Sequence, residues 1–407
     1  MIARNFAWTA FGNAVYAMCQ WAAVVVLARA LDASAVGEWS FAFAVTTPVF
    51  LLADLQLRTV YVTDPDERVA FGSYLALRLL TTLATCVGLL GFALLRSAEG
   101  AAALAILAVA AAKAIESGSE MLYGVFQKRE RMDLVARSLL LRGPLGLLAV
   151  AGVVTMTRSV PLGAAALAFA GLLVLVGHDV PTLLRLPHAP RARPRFESRT
   201  LVRLLRTALP LGIVTGLVAL NSSIPRYFLE VYHGAAELGV FAAMSYCVIA
   251  GGLIVNALGQ SAVTRLARLY SSGDGQGFRD LMFRLVAFGL VLAALALAAA
   301  RFAGSHILEL LYGPEFALQP TTFVIVVLGG SIGYVASFLG YGMTAARWFR
   351  VQAPLFAALA ALDAFACWLL VPALGSTGAA LATVITALFG LAGSLAIQVR
   401  ALRALRP

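Results

Sequence analysis

The stretch AAALAILAVAAAKAIESGSEMLYGVF, residues 101–126, decides the fold class. It opens on an unbroken apolar run and is long enough, as an α-helix, to cross a hydrocarbon core of about 30 Å. Its second half nevertheless carries Lys113, Glu116 and Glu120. The spacings are i,i+3 and i,i+4, which place all three on one face. An ionisable group at mid-membrane is costly, so such a face is paired or lines a wet cavity. The stretch reads as a membrane span with a functional side.

The rest of the chain repeats that pattern. Apolar residues make up 61% of the 407 residues and charged ones 13%, and the mean hydropathy is +0.88. A soluble domain carries about a quarter charged residues. Here the charges gather in short connectors between apolar runs sized for a bilayer. Twelve spans follow: 6–30, 39–62, 73–95, 101–126, 138–157, 160–184, 207–232, 237–262, 281–303, 320–344, 350–372 and 376–399. The first is longer than the apolar region of a signal peptide and only Arg4 precedes it, so it reads as a retained span.

Lys and Arg fall unevenly between alternate connectors. One side collects Arg4, Arg68, Lys128, Arg129, Arg131, Arg137, the run from Arg185 to Arg206, Arg265, Arg268, Arg279, Arg284, Arg347, Arg350, Arg400, Arg403 and Arg406. The other has little beyond Arg29, Arg96, Arg158 and Arg301. The positive-inside rule then makes both termini cytoplasmic, in an inner membrane of bacterial type. Topology and contact with anionic membrane lipids account for the net charge of +11, so no nucleic-acid partner is needed. The connector 186–206 holds Pro187, Pro190, Pro194 and many Arg, and it separates a six-span lobe, 1–185, from a second, 207–407. The halves echo each other: Ala35-Val36-Gly37-Glu38-Trp39 opens span 2 and Glu237-Leu238-Gly239-Val240-Phe241 opens span 8. Transporters built from such repeats bind their cargo between them.

Other spans carry charges too. Asp54 and Arg58 stand one turn apart in span 2, and Arg226 and Glu230 in span 7, where Pro225 loosens the backbone and Asn221 precedes them. Asn256 and Gln260 are one turn apart in span 8, and Asp363 lies mid-span in span 11. Arg58, Arg78 and Arg142 read more readily as intrahelical pairs or snorkelling side chains, whereas Lys113, Glu116 and Arg226 lie too deep for that. Inward-facing cations suit an anionic cargo such as a pyrophosphate, because guanidinium offers phosphate a bidentate fork.

Several chemistries are excluded or lack support. Ala112-Lys113 and Gln127-Lys128 are the only lysine settings, so there is no P-loop Gly-Lys-Ser/Thr. No HExxH or metal-spaced His cluster occurs. Of His178, His188, His233 and His306, only His178, beside Asp179, has a suggestive neighbour. Cys19, Cys86, Cys247 and Cys367 fall inside apolar runs and imply neither disulfide nor metal. No cofactor is expected, and the longest outer connector, Arg301 to Pro320, is short for a membrane glycosyltransferase or polymerase.

Three motifs carry a family likeness. Glu116, Tyr123-Gly124 and Gln127-Lys128-Arg129-Glu130-Arg131-Met132-Asp133, with Arg142-Gly143 after them, resemble the span 4 to span 5 region of polysaccharide-exporting flippases. Ile224-Pro225-Arg226-Tyr227-Phe228-Leu229-Glu230 resembles the end of their seventh span, and Leu311-Tyr312-Gly313-Pro314-Glu315-Phe316 the loop before their tenth. The likeness runs the length of the chain. It points to the O-antigen, capsule and exopolysaccharide flippases, within the superfamily that includes multidrug/toxin extruders and the lipid II flippase. What it implies is an all-α protein of two six-helix lobes about a pseudo-twofold, with a central cavity and alternating access. The cargo would be an undecaprenyl-diphosphate oligosaccharide, and the pathway's polymerase and chain-length proteins would be potential partners. The family's cationic cavity maps onto Lys113 and Arg226, then Arg29 and Arg58, with Glu116 and Asn221 beside them. Glu116, Glu230 or Asp363 are candidate ion carriers. Asp54 departs from the family, standing where a neutral Asn is expected. A drug or metabolite extruder of the same superfamily would instead favour an apolar, aromatic cavity with acidic residues.

Overall fold

A computed structural model describes residues 2–64, 69–95, 100–187, 189–190, 192–346 and 348–403. Arg68, Arg96, His188, Arg191, Arg347 and Arg406 lie outside the described residues, as do the side chains of Arg4, Arg350 and Arg403. Among the described residues there is no β-strand. The helices are α1 (Ile2–Ala30), α2 (Ala33–Asp54), α3 (Leu57–Val62), α4 (Phe71–Leu95), α5 (Gly100–Lys128), α6 (Met132–Thr157), α7 (Val160–Val174), α8 (Val180–Leu184), α9 (Ser198–Ser271), α10 (Gly275–Leu311), α11 (Pro320–Ala345) and α12 (Phe349–Arg403). A π-helical turn, Leu175–Asp179, joins α7 to α8.

Ten helical segments among the described residues are long and apolar enough to cross a membrane. Their outward faces agree with that: Phe302 is 85% exposed and Phe283 is 74% exposed. Water would not tolerate so much exposed aromatic surface on a lone soluble chain, whereas lipid does. Two segments are too long for one crossing. At 1.5 Å per residue, α9 would run about 110 Å and α12 about 80 Å. Each is broken by a glycine in a non-helical conformation, Gly234 at φ 79° and Gly375 at φ 55°. Both glycines fall in gaps between expected spans. The helix runs on through Pro225, so the expected loosening there is replaced by the break at Gly234. The outer connector expected from Arg301 to Pro320 is helical as far as Leu311, because α10 continues past the expected end of its span.

The chain divides into two compact units, Met1–Ala219 and Leu220–Pro407. In the first, α1 packs on α6, α5 on α7, and α2 and α4 on α5. Tyr61, Phe71, Tyr74, Tyr123 and Phe126 are buried together there with Leu183 and Leu204. In the second, α11 packs on both α10 and α12, and Phe278, Tyr334 and Phe338 anchor a buried cluster.

One local feature organises the first unit. Helix α2 stops at Asp54 because Leu55 (φ 52°) and Gln56 (φ 51°) are both left-handed. Two successive non-glycine residues in that region cost on the order of 1–2 kcal/mol each, so the surroundings must hold them. Leu55 is only 2% exposed. The start of α9 lies against it: the Thr215 hydroxyl donates to the Leu51 carbonyl at 3.2 Å, satisfying an oxygen near the break. Gly212 permits the close approach, since a Cβ there would meet the Leu52 carbonyl oxygen at 2.6 Å. Gly212→Val is therefore expected to lower the stability of the detergent-solubilised protein by about 1–3 kcal/mol in thermal unfolding, and an unchanged midpoint would contradict this packing.

Candidate functional site

The break at Leu55–Gln56 decides where the charges of the first unit go. Asp54 and Arg58 are not neighbours on one helix, and the expected one-turn pair is replaced by two pairs across helices. Asp54 accepts from the Arg78 guanidinium of α4 and from the Ser117 hydroxyl at 2.9 Å. The Arg58 Nη1 meets Glu120 Oε2 at 2.8 Å, and its Nε donates to Gln127 Oε1 at 2.9 Å. The guanidinium also lies 5.6 Å from the centre of the Tyr123 ring. The expected Lys113–Glu116 pair does form, at 3.2 Å. The Tyr16 hydroxyl donates to the other Glu116 oxygen at 3.1 Å, and the Lys113 ammonium sits 5.6 Å from the Phe43 ring centre.

Arg78 and Arg142 are buried, 3% and 5% exposed, so neither snorkels to the membrane surface. Each is drawn inward by hydrogen-bonding partners instead: Asp54 for Arg78, and for Arg142 the Ser119 hydroxyl at 2.7 Å. His178 Nδ1 and Asp179 Oδ1 are 3.0 Å apart in the π-helical turn.

The three ion pairs, Asp54–Arg78, Arg58–Glu120 and Lys113–Glu116, line a cavity of about 390 Å³ within the first unit. Its walls include Thr47, Phe50, Leu51, Asp54, Gln56, Arg58, Thr59, Arg78, Lys113, Glu116, Ser117, Glu120 and Gln127. The positions 113, 116, 117, 120 and 127 are one face of α5, as the spacing in the sequence requires. Arg29, exposed in the last turn of α1, is not among the lining residues. Gln127, named in the sequence only as part of the family motif, and Tyr16, not named there, both touch these ion pairs. Gln127 lies seven residues after Glu120, which was a readable signal, but Tyr16 comes from another helix and gave none.

In the second unit, the Arg226 guanidinium lies 5.9 Å from the centre of the Tyr246 ring, and its Nε is buried with no hydrogen-bond partner. Glu230 follows one turn later on α9. Asn221 donates to the Phe356 carbonyl at 3.2 Å, and its Oδ1 is buried without a partner. Asp363, 2% exposed, accepts from the Thr386 hydroxyl at 3.0 Å. A further cluster, absent from the sequence reading, joins the two glycine breaks. Glu237 accepts from the Ser376 amide at 3.1 Å and from Gln319 Nε2 at 3.4 Å, while His233 Nε2 donates to the Val371 carbonyl at 2.8 Å. Glu237 thus caps the helical segment that resumes after Gly375. Just before α6, the Arg131 guanidinium donates to the Asp133 carboxylate, and that bond holds it above its ordinary range. Among the described residues, no group of three or more His, Cys, Asp or Glu is placed to hold a metal ion.

Comparison with known proteins accords with this geometry. A family described as "Polysaccharide biosynthesis protein" matches residues 2–268. The "Capsular polysaccharide biosynthesis protein CapF" of Staphylococcus aureus is 25% identical over 393 residues, covering 94% of this chain and 96% of that one. Among solved structures, an inward-facing multidrug resistance MATE family transporter of the MOP superfamily superposes with a TM-score of 0.71 at 14% identity, over 95% of this chain and 94% of that chain. The lipid II flippase MurJ, in an inward closed conformation, gives a TM-score of 0.69 at 11% identity over 92% and 88% of the two chains. The fold is that of these membrane transporters.

The ion pairs differ in how deeply they are set, and that generates a prediction. Arg78 and Asp54 are 3% and 21% exposed, against 24% and 35% for Arg58 and Glu120. Removing one partner of a buried pair strands the other, at a cost of about 3–5 kcal/mol when burial is complete. Asp54→Ala should therefore destabilise the purified protein clearly more than Glu120→Ala, and Asp54→Leu/Arg78→Met should recover much of the loss. Equal effects of the two single changes would contradict the ranking.

Proposed function

The chain belongs to the polysaccharide biosynthesis protein family, and on that premise we propose that it is a flippase rather than an enzyme. Its cargo is an undecaprenyl-diphosphate oligosaccharide, carried from the cytoplasmic to the periplasmic leaflet of a bacterial inner membrane. The product serves surface polysaccharide assembly, in which a polymerase and chain-length proteins act next. The observation that carries the proposal is Arg226: a cation within a spanning helix, with an Nε that is buried and lacks a hydrogen-bond partner. Such a group is suited to an arriving anion, and guanidinium offers a diphosphate two parallel donors.

Twelve crossings in two lobes belong to this proposal. The breaks at Gly234 and Gly375 support it, because they divide the two overlong helices where separate spans end. With both termini cytoplasmic, as the Lys/Arg asymmetry requires, moving about two negative charges outward across 100 mV yields about 4–5 kcal/mol. No nucleotide hydrolysis is then needed. Glu116, Glu230 and Asp363 are the groups on which a counter-ion cycle would act. A drug extruder of the same fold is the second reading; the polar, ion-paired lining of the cavity in the first unit favours a polar cargo over an apolar one.

Complementation of surface polysaccharide production tests the role of Arg226. Arg226→Ala should lose nearly all export at unchanged membrane abundance, and Arg226→Lys should lose most of it, since an ammonium cannot copy the fork. If Arg226 merely pairs with Glu230, Glu230→Gln should be as damaging as Arg226→Ala and Arg226→Lys should be tolerated. Full export by Arg226→Ala would end the diphosphate assignment. Topology is tested separately by labelling single cysteines: Thr157→Cys should react with an impermeant maleimide from outside the cell and Ser198→Cys should not, and the reverse pattern would invert the orientation.

A further inference from the structure

The cavity in the first unit does not have the charge that a diphosphate site requires. Three cations line it, Arg58, Arg78 and Lys113, and so do three carboxylates, Asp54, Glu116 and Glu120. Every cation is bound to one of those carboxylates: Arg58 to Glu120 at 2.8 Å, Lys113 to Glu116 at 3.2 Å, and Arg78 to Asp54. A dianion entering here meets as much negative charge as positive, and each cation already has a carboxylate against it.

The same lining suits an uncharged ligand rich in hydroxyls. A hydroxyl both donates and accepts, so it is satisfied best where N–H groups and carboxylate oxygens alternate. A paired carboxylate keeps spare lone pairs, and a paired guanidinium keeps spare N–H groups. Between the pairs stand neutral groups of the same double capacity, Ser117, Thr47, Thr59 and Gln127, with Phe50 as an apolar wall. The volume of about 390 Å³ falls in the range of small-molecule sites, about 300–1,000 Å³.

The pairs are not sealed away as scaffold. Asp54 and Lys113 are each 21% exposed, Arg58 24%, Glu116 28% and Glu120 35%. Only Arg78 is closed off, at 3%. A second and independent feature marks the same wall. Gln56, the second residue of the left-handed pair, lines it between Asp54 and Arg58, and strain of this kind persists at sites where geometry serves a ligand.

We propose that this cavity is a glycan subsite: it binds one or two sugar residues of the cargo through their hydroxyls. Lys113 and Arg58 then act as halves of ion pairs that read the sugar, and the diphosphate is left to Arg226 in the second unit. The proposal rests on the flippase reading for its cargo, but it is separable from it by experiment.

The full chain in lipid nanodiscs is titrated calorimetrically with two probes. One is inorganic pyrophosphate. The other is the lipid-free, diphosphate-free oligosaccharide released by mild acid from the producing cell's own lipid-linked pool. The oligosaccharide should bind the unaltered protein. Its affinity should fall at least tenfold in Ser117→Ala/Gln127→Ala, and several-fold in the isosteric Thr47→Val, which guards against a mere folding defect. Pyrophosphate binding should be unmoved by these changes and lost on Arg226→Ala. Failure of the oligosaccharide to bind, or binding indifferent to the cavity variants, overturns the proposal. So does loss of pyrophosphate binding in Lys113→Ala/Glu116→Ala, which leaves the net charge of the cavity unchanged. Full surface export by Arg226→Ala would count against the diphosphate reading alone, because oligosaccharide binding is read without lipid or transport.

Discussion

A charge placed in hydrocarbon must find its opposite, and much of the first unit is arranged to meet that demand. Three basic residues on three different elements, Arg58, Arg78 and Lys113, each bind a carboxylate. Two of these bonds cross between helices: Arg58 ties α3 to α5, and Arg78 ties α4 to the end of α2. The left-handed break after Asp54 makes the crossing possible. An unbroken helix would have paired Asp54 with Arg58 along its own surface and left Arg78 and Glu120 to find partners elsewhere. The desolvation cost of the charges is offset in part because one member of each pair is also hydrogen-bonded beyond it: Ser117 bonds Asp54, Gln127 bonds Arg58 and Tyr16 bonds Glu116.

Glycine supplies the complementary element. At Gly212 the missing side chain lets α9 approach the strained break closely. At Gly234 and Gly375 it supplies a backbone conformation that ends one helical rod and begins another. The polar groups freed at those breaks are bonded by Glu237 and His233, side chains that lie beside the breaks they serve. Backbone irregularity in an apolar phase is tolerated only where its hydrogen bonds are restored, and both units obey that rule.

Much of this was legible in the sequence. Span length, the segregation of charge, and the i,i+3 and i,i+4 face of α5 were all readable, since they depend on local period and composition. The Lys113–Glu116 pair was legible for the same reason. The partners of Asp54 and Arg58 were not, because a helix stopped by Leu55 and Gln56 carries no glycine or proline to announce it. Arg142 and Arg78 looked like snorkelling residues because sequence gives depth along a helix but not which side faces the protein. Tyr16, Tyr246 and the Glu237–Ser376 contact come from segments far apart in the chain, and no local pattern reveals them. The break at Gly234 falls in the gap expected between spans, whereas the helix runs on through Pro225, since proline in a helix need not end it and glycine at positive φ does.

The proposed cargo, part sugar and part diphosphate, rests on two separate observations: a polar, charge-balanced cavity in the first unit and a cation with an unsatisfied buried donor in the second. On the proposed reading the protein itself moves such a molecule across a bilayer. The direct measurement uses proteoliposomes holding a fluorescent undecaprenyl-diphosphate oligosaccharide, with the accessible leaflet read by an impermeant quencher. Protein-dependent equilibration between leaflets, accelerated by a membrane potential that favours outward movement of negative charge, is the predicted result. Redistribution no faster than in empty liposomes, with folded protein present, would contradict it.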